Sequence, residues 1–230
     1  MIETSAVPAL QLSGLVKRFD DKVAVAGIDL VRDPRYLRQL IVAPLFPILF
    51  AFTGGVDGFM FAASPIFVAF VLCIAGYSDI SYDGTAFASV LSSGIRGRHD
   101  RWGRILGAAC VGVPLTVVIA VITAVIGGHV STLAATLGAA LGLLLVGYGV
   151  TAVSSALIVT PVAAPGDSPF KTVPGQTFVS GLLVFVVLAA CGVLAAPVLI
   201  VGGIGMVGRD PAVGLVALAV GLVVGAGVIV

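Results

Sequence analysis

The stretch "ILGAACVGVPLTVVIAVITAVIG", residues 105–127, decides the fold class, because it carries no charged residue over a length that can cross a bilayer. A membrane-spanning helix needs about 20 consecutive, predominantly apolar residues. Pro114 interrupts the run, but proline is tolerated in transmembrane helices when neighbouring groups satisfy the backbone. The stretch therefore predicts a transmembrane helix.

Five further stretches have the same apolar character. They are residues 40–56, 59–77, 133–159, 178–205 and 212–230. The first is short and contains Pro44 and Pro47, so a re-entrant or broken segment is an alternative there. We predict an all-α polytopic membrane protein with about six transmembrane helices.

Composition supports this class, since 59% of the 230 residues are hydrophobic and only 10% are charged. Soluble domains carry about 25% charged residues. The first apolar segment starts near Leu40, behind a charged leader, so no signal peptide is predicted. Cys73, Cys110 and Cys191 lie in apolar runs without a CxxC partner, which predicts small buried side chains rather than disulfides or metal ligands.

The basic residues predict the orientation. Eleven of the twelve Lys and Arg residues precede the first span or lie between spans two and three or four and five. Only Arg209 would lie on the other side if the spans alternate. Because Lys and Arg remain cytoplasmic during insertion, we predict a multi-pass protein of the cell (plasma) membrane with both termini in the cytoplasm.

The span interiors contain almost no ionisable residue, and ion-coupled carriers usually keep one in the path. An external energy source is therefore expected if the chain transports anything. The GxxxG pairs Gly138/Gly142 and Gly221/Gly225 could form a packing seam within the bundle or a dimer face. We favour the seam.

The segment "SDISYDGTAFASVLSSGIRGRHDRWGR", residues 78–104, is long for a connector. Residues 85–93 are apolar enough for a short interfacial helix, and a charged cluster around Trp102 follows. The cluster could anchor lipid headgroups, with the tryptophan in the aromatic belt. It could also dock a cytoplasmic partner through mixed charges and an aromatic anchor.

The motifs "RDPRYLRQLIVAPLFPILF", "SYDGTAF", "SGIRGRHDRWGR" and "PVAAPGDSPF", in this order, resemble permeases of ABC-2 type ABC transporters, especially those of actinobacteria. The resemblance covers residues 31–230, and residues 32–230 would form the transmembrane half of such a permease. It implies an interfacial helix ending in residues 32–39 and a coupling element in 82–104 that docks a separate ATP-binding subunit. The implied docking residues are Tyr82, Asp83, Arg96, Arg98, Asp100, Arg101 and Arg104.

Residues 1–31 form a separate leader, whose two partly apolar runs flank the turn signal Asp20-Asp21-Lys22 and predict a short β-hairpin. "LQLSGLVKRFDDKVAVAGIDLV", residues 10–31, resembles the first strands of an ABC ATPase, in which Phe19 would stack on adenine. The GxxxxGK[ST] phosphate loop is missing from the sequence. No Walker B motif is present either, and "LSSGIRG" lacks the glutamine of the LSGGQ signature. We predict that this chain binds no cofactor and that ATP binds a partner.

Together these features predict a permease subunit of an ABC-type exporter, working with an ABC ATP-binding subunit and with a second permease half or a second copy. A hydrophobic substrate is expected, and nucleic acid is not an expected partner. One alternative is a non-functional fusion remnant of an ATPase–permease gene pair, with its junction near residues 30–32. Another is a small membrane scaffold.

An enzymatic function is not predicted. His99 and His129 fall in different loops on opposite sides of the membrane, and no catalytic or metal-binding set can be assembled around either. Ser154, Ser155 and Thr160 are expected to bond to helix carbonyls. The Pro- and Gly-rich residues 161–176 predict a rigid connector.

Overall fold

The computed structural model describes residues 17–19, 22–25, 41–74, 76, 97–158 and 178–229. The chain divides into two units, Met1–Ile41 and Val42–Val230. In the first unit, strands β1 (Lys17–Phe19) and β2 (Lys22–Val25) pair antiparallel. The rest of the predicted leader and the predicted interfacial helix at 32–39 lie outside the described residues.

In the described part of the second unit, six helices follow one another along the chain. They are α1 (Leu45–Gly54), α2 (Phe59–Ile74), α3 (Gly97–Ile126), α4 (Leu133–Leu157), α5 (Phe178–Gly208) and α6 (Pro211–Ile229), with a 3₁₀ turn at Val130–Thr132 before α4. Four of them, α3 to α6, are long and apolar enough to cross a membrane. The predicted helical membrane class is confirmed to this extent.

The two remaining helices are shorter, with 10 residues in α1 and 16 in α2. At about 1.5 Å per residue, α2 is roughly 24 Å long, against a hydrocarbon core of about 30 Å. The six-span count therefore stays a prediction. The prolines noted in the sequence lie at the start of α1, at Pro44 and Pro47, and inside α2, at Pro65.

Helix α4 is the centre of the bundle. It contacts α2, α3, α5 and α6, and its contact with α6 is the most extensive. It is also the most buried of the four long helices. Many of its buried residues are alanine and glycine, and small residues let helix backbones approach closely in lipid. The sequence of α4 therefore suits a helix enclosed by neighbours.

The GxxxG pairs meet each other across the contact between α4 and α6. A Cβ added at Gly138 would lie 2.5 Å from the carbonyl carbon of Ala217, and one added at Gly221 would overlap the carbonyl oxygen of Gly138. A Cβ added at Gly142 would lie 2.8 Å from the Cα of Gly221. The predicted seam within the bundle is confirmed.

The outside of the bundle is apolar. Val193 is 73% exposed, Val207 74% and Val223 72%, and many other large apolar side chains are exposed on the same helices. Soluble monomers rarely expose contiguous apolar patches of more than a few hundred Å². This surface fits lipid as the surrounding medium.

Two of the three cysteines are buried inside the bundle. The thiols of Cys73 on α2 and Cys191 on α5 are both buried, and the Cys73 thiol donates a 3.1 Å hydrogen bond to the carbonyl of Phe70. All three cysteines are free, and Cys110 is exposed rather than buried. The predicted burial is thus confirmed for Cys73 and Cys191, and wrong for Cys110, because Cys110 lies on an outward-facing side of α3.

A serine compensates for the proline within α2. Pro65 has no N–H, so the carbonyl of Phe61, four residues earlier, lacks its helical donor. The hydroxyl of Ser64 donates a 2.7 Å hydrogen bond to this carbonyl, and Ser64 is fully buried. The serine therefore supplies the donor that the proline removes.

Substituting Ser64→Ala is expected to lower the free energy of unfolding by about 1–3 kcal/mol, because a buried carbonyl is left without a partner. Ser154→Ala is a matched control. The Ser154 hydroxyl also bonds to a carbonyl three residues earlier, that of Thr151, at 3.1 Å. In Ser154→Ala, the Thr151 carbonyl still accepts the helical hydrogen bond from the backbone N–H of Ser155. The free energy of unfolding is therefore expected to fall by less than about 0.5 kcal/mol. Unfolding in a denaturing detergent measures the free energy of unfolding of both variants. Equal losses would contradict the proposed role of Ser64 as the donor that replaces the N–H missing from Pro65.

Candidate functional site

Four of the charged residues predicted to dock a partner lie at the start of helix α3: Arg98, Asp100, Arg101 and Arg104. The sequence places the span at 105–127 and the charges in the preceding loop, but the helix starts at Gly97. We call residues 97–104 the docking segment. Asp100 lies in its first turn, where a carboxylate interacts favourably with the positive end of the helix. The docking segment is therefore a helical continuation of the apolar part of α3, and the expected loop is wrong for these residues.

Three of the predicted docking residues form one ionic cluster. Asp100 Oδ2 lies 3.0 Å from Arg101 Nη2 and 3.0 Å from Arg104 Nε, which also donates to Oδ1 at 3.2 Å. The pair Asp100–Arg104 has the i,i+4 spacing that places two side chains on one face of a helix. About one-fifth of each side chain is exposed. One carboxylate thus contacts two guanidinium groups at a largely buried position, and the three side chains together keep one positive charge.

Arg101 also connects the docking segment to the central helix. Its Nη1 donates a 3.2 Å hydrogen bond to Ser155 Oγ, near the end of α4. The Ser155 hydroxyl donates in turn to the carbonyl of Ala152 at 3.2 Å. Together with the bond from Ser154 to Thr151, this confirms the prediction that these serines bond to helix carbonyls. The link to Arg101 was missed, because no local pattern connects residues 54 positions apart.

Several predicted site residues lie outside the described part of the chain. These are Tyr82, Asp83 and Arg96, together with the expected interfacial helix at 85–93, the connector at 161–176 and Thr160. Arg98 lies in α3, but its side chain is not described, and the same holds for Phe19 in β1. The structure therefore brings together Asp100, Arg101 and Arg104 from the predicted set.

The two histidines do not share a site. His99 is an exposed residue of α3, so its predicted place in a loop is wrong, whereas His129 lies in the turn beyond the other end of α3, as expected. Within the described residues, no group of three or more His, Cys, Asp or Glu side chains could hold a metal ion. The cluster of Asp100, Arg101 and Arg104 combines ion pairs with a hydrogen bond to α4.

Comparisons with known proteins identify no relative of the chain. No protein-family model matches the chain. No curated protein and no solved structure matches it either. The functional interpretation therefore rests on the sequence motifs and on the geometry of the bundle.

Proposed function

We propose that the chain is a membrane subunit of an ABC-type exporter, driven by ATP hydrolysis on a separate subunit that docks at residues 82–104. In this proposal all six helices enter the cell membrane and both termini are cytoplasmic. The four long apolar helices and the one-sided distribution of basic residues support it. A second copy or a second permease half would complete the translocation path.

The observation that carries the proposal is the continuity of α3. The docking segment and the apolar part of the helix form one element of 30 residues, Gly97–Ile126. The backbone hydrogen bonds of a helix resist local bending, so a displacement of the docking segment passes along α3 as far as Pro114, which removes one of these bonds. A partner that moves the docking segment would therefore also move the part of α3 inside the bilayer.

The hydrogen bond from Arg101 to Ser155 extends this path to α4, which packs against four of the other helices. Coupling between distant sites needs an element with two arrangements that both sites bias. We assign this role to α3 and α4 together. ATP binding at the partner would select one arrangement of these two helices, and release of the nucleotide would select the other.

A hydrophobic substrate suits the interior of the bundle. The buried polar residues among those described are all serine or threonine. Several of their hydroxyls bond to carbonyls within their own helix, as in Thr123 and Thr136. Such an interior offers few groups to replace the hydration shell of a charged solute.

Co-purification tests the proposal. The tagged chain, expressed in its own host and extracted in a mild detergent, is expected to retain an ABC ATP-binding subunit of that host. An ATP-binding subunit from an unrelated transporter serves as the control and is expected to wash off. Retention no better than the control, by a chain that is inserted and folded, would instead favour the fusion remnant or the scaffold.

A further inference from the structure

Three loops meet around one cavity at the end of the bundle away from the docking segment. The α1–α2 loop supplies Asp57, the α3–α4 loop supplies His129 and the α5–α6 loop supplies Arg209. The cavity has a volume of about 70 Å³. Phe59, Ala62, Thr132 and Met206 complete its lining. We call it the loop cavity.

The loop cavity combines charges of opposite sign with an apolar wall. Asp57 and Arg209 are exposed, and within the described residues neither forms an ion pair. His129 Nε2 lies 3.0 Å from the carbonyl oxygen of Asp57. With Nε2 donating to this carbonyl, the imidazole ties the α1–α2 loop to the α3–α4 loop. The carboxylate of Asp57 and the guanidinium of Arg209 stay available to a ligand.

Arg209 has an unusual backbone conformation. Its φ is 53°, and among the described residues no other non-glycine residue has a positive φ. It directly follows α5, at a place where glycine is the favoured residue because it has no Cβ to clash. An arginine here costs conformational free energy. Backbone strain of this kind is found at functional sites. It therefore indicates a role for the Arg209 side chain.

We propose that the loop cavity binds the headgroup of a zwitterionic phospholipid, with its phosphate against Arg209 and its ammonium group against Asp57. A guanidinium group can hold a phosphate through two parallel N–H···O bonds. A carboxylate accepts hydrogen bonds from an ammonium group. The two charges on one ligand match the two charges of the cavity.

The position of the loop cavity favours a lipid over a soluble solute. It lies at the ends of helices that are long and apolar enough to cross a membrane, and the ends of such helices lie at the depth of the lipid headgroups. Phe59 and Met206 give it an apolar side, and Phe59 is about half exposed. The glycerol and the first carbons of the acyl chains would pack there. This proposal does not depend on docking of an ATP-binding subunit at the opposite end.

Binding of three probes to the purified full-length chain tests the proposal: short-chain phosphatidylethanolamine, phosphatidylglycerol of the same chain length, and free phosphoethanolamine. The key variant is Arg209→Gly, which removes the guanidinium group while suiting the positive φ. We expect it to unfold at the same or a higher temperature than the wild type, and to bind both lipids at least tenfold more weakly. Asp57→Asn should abolish the preference for phosphatidylethanolamine over phosphatidylglycerol.

Asp210→Asn is the matched control for Asp57→Asn. Asp210 does not line the loop cavity, and its Oδ1 accepts a 2.9 Å hydrogen bond from the backbone N–H of Ala212, a cap that asparagine can also provide. It should bind lipid like the wild type. Unchanged phosphatidylethanolamine binding by Arg209→Gly would overturn the proposal. So would a wild-type preference for phosphatidylglycerol, or binding of free phosphoethanolamine as tight as that of the lipid.

Discussion

Replacing Gly221 by leucine is expected to cause the largest loss of stability of any change considered, about 3 kcal/mol or more, at the upper end of the cost of overpacking a core. A single added Cβ would already overlap the carbonyl oxygen of Gly138 on α4. The obstacle is backbone, which cannot rotate away as a side chain can. The contact between α4 and α6, the most extensive in the bundle, would have to open.

Gly227→Leu is the matched control, because Gly227 lies on the same helix and a Cβ added there would meet nothing within 4 Å. Both variants increase apolar volume in α6 equally. Folded yield in mild detergent and unfolding by denaturing detergent measure the difference. Gly227→Leu should behave like the wild type. Equal loss in the two variants would show that the seam between α4 and α6 is not what holds α6 in place.

Replacing Arg101 by alanine is expected to reduce the retained ATP-binding subunit at least tenfold. Arg101 presents a partly exposed guanidinium group on the docking segment, with about 21% of its side chain accessible. Arginine is enriched among the residues that dominate binding energy at protein interfaces. A tenfold loss corresponds to about 1.4 kcal/mol of binding free energy.

Ser155→Ala separates docking from internal structure. It removes the same hydrogen bond of 3.2 Å between α3 and α4 as Arg101→Ala does, but it leaves the guanidinium group in place. Retention of the ATP-binding subunit should therefore survive in Ser155→Ala. If both variants lose the ATP-binding subunit equally, Arg101 acts only through its bond to α4. If both retain the subunit fully, Arg101 is not part of the docking surface.

The positions of the helices were predictable from the sequence, because a long uninterrupted apolar stretch marks each of them. Most of each helix from α1 to α6 lies within one of the six predicted apolar stretches. The seam of Gly138 and Gly221 was predictable for a related reason, since glycine at this spacing in an apolar helix allows close packing. Length alone did not show that α1 and α2 are shorter than their apolar runs.

The start of α3 could not be located by hydropathy. Hydropathy shows where a chain enters lipid, whereas a helix continues for as long as its backbone bonds and side-chain pairs support it. The pair Asp100–Arg104 extends α3 beyond the apolar stretch. The bond from Arg101 to Ser155 and the meeting of Asp57, His129 and Arg209 depend on how the helices pack. Neither leaves a local signal in the sequence.

The most direct test of the account is the rate of ATP hydrolysis by the ATP-binding subunit in lipid nanodiscs containing the full-length chain. The account predicts a faster rate than in empty nanodiscs. It also predicts that Ser155→Ala preserves binding of the subunit and that Arg101→Ala returns hydrolysis to the basal rate. A rate that the wild-type chain leaves unchanged, with the subunit unbound, would contradict the proposal that this bundle is the membrane partner of an ATPase.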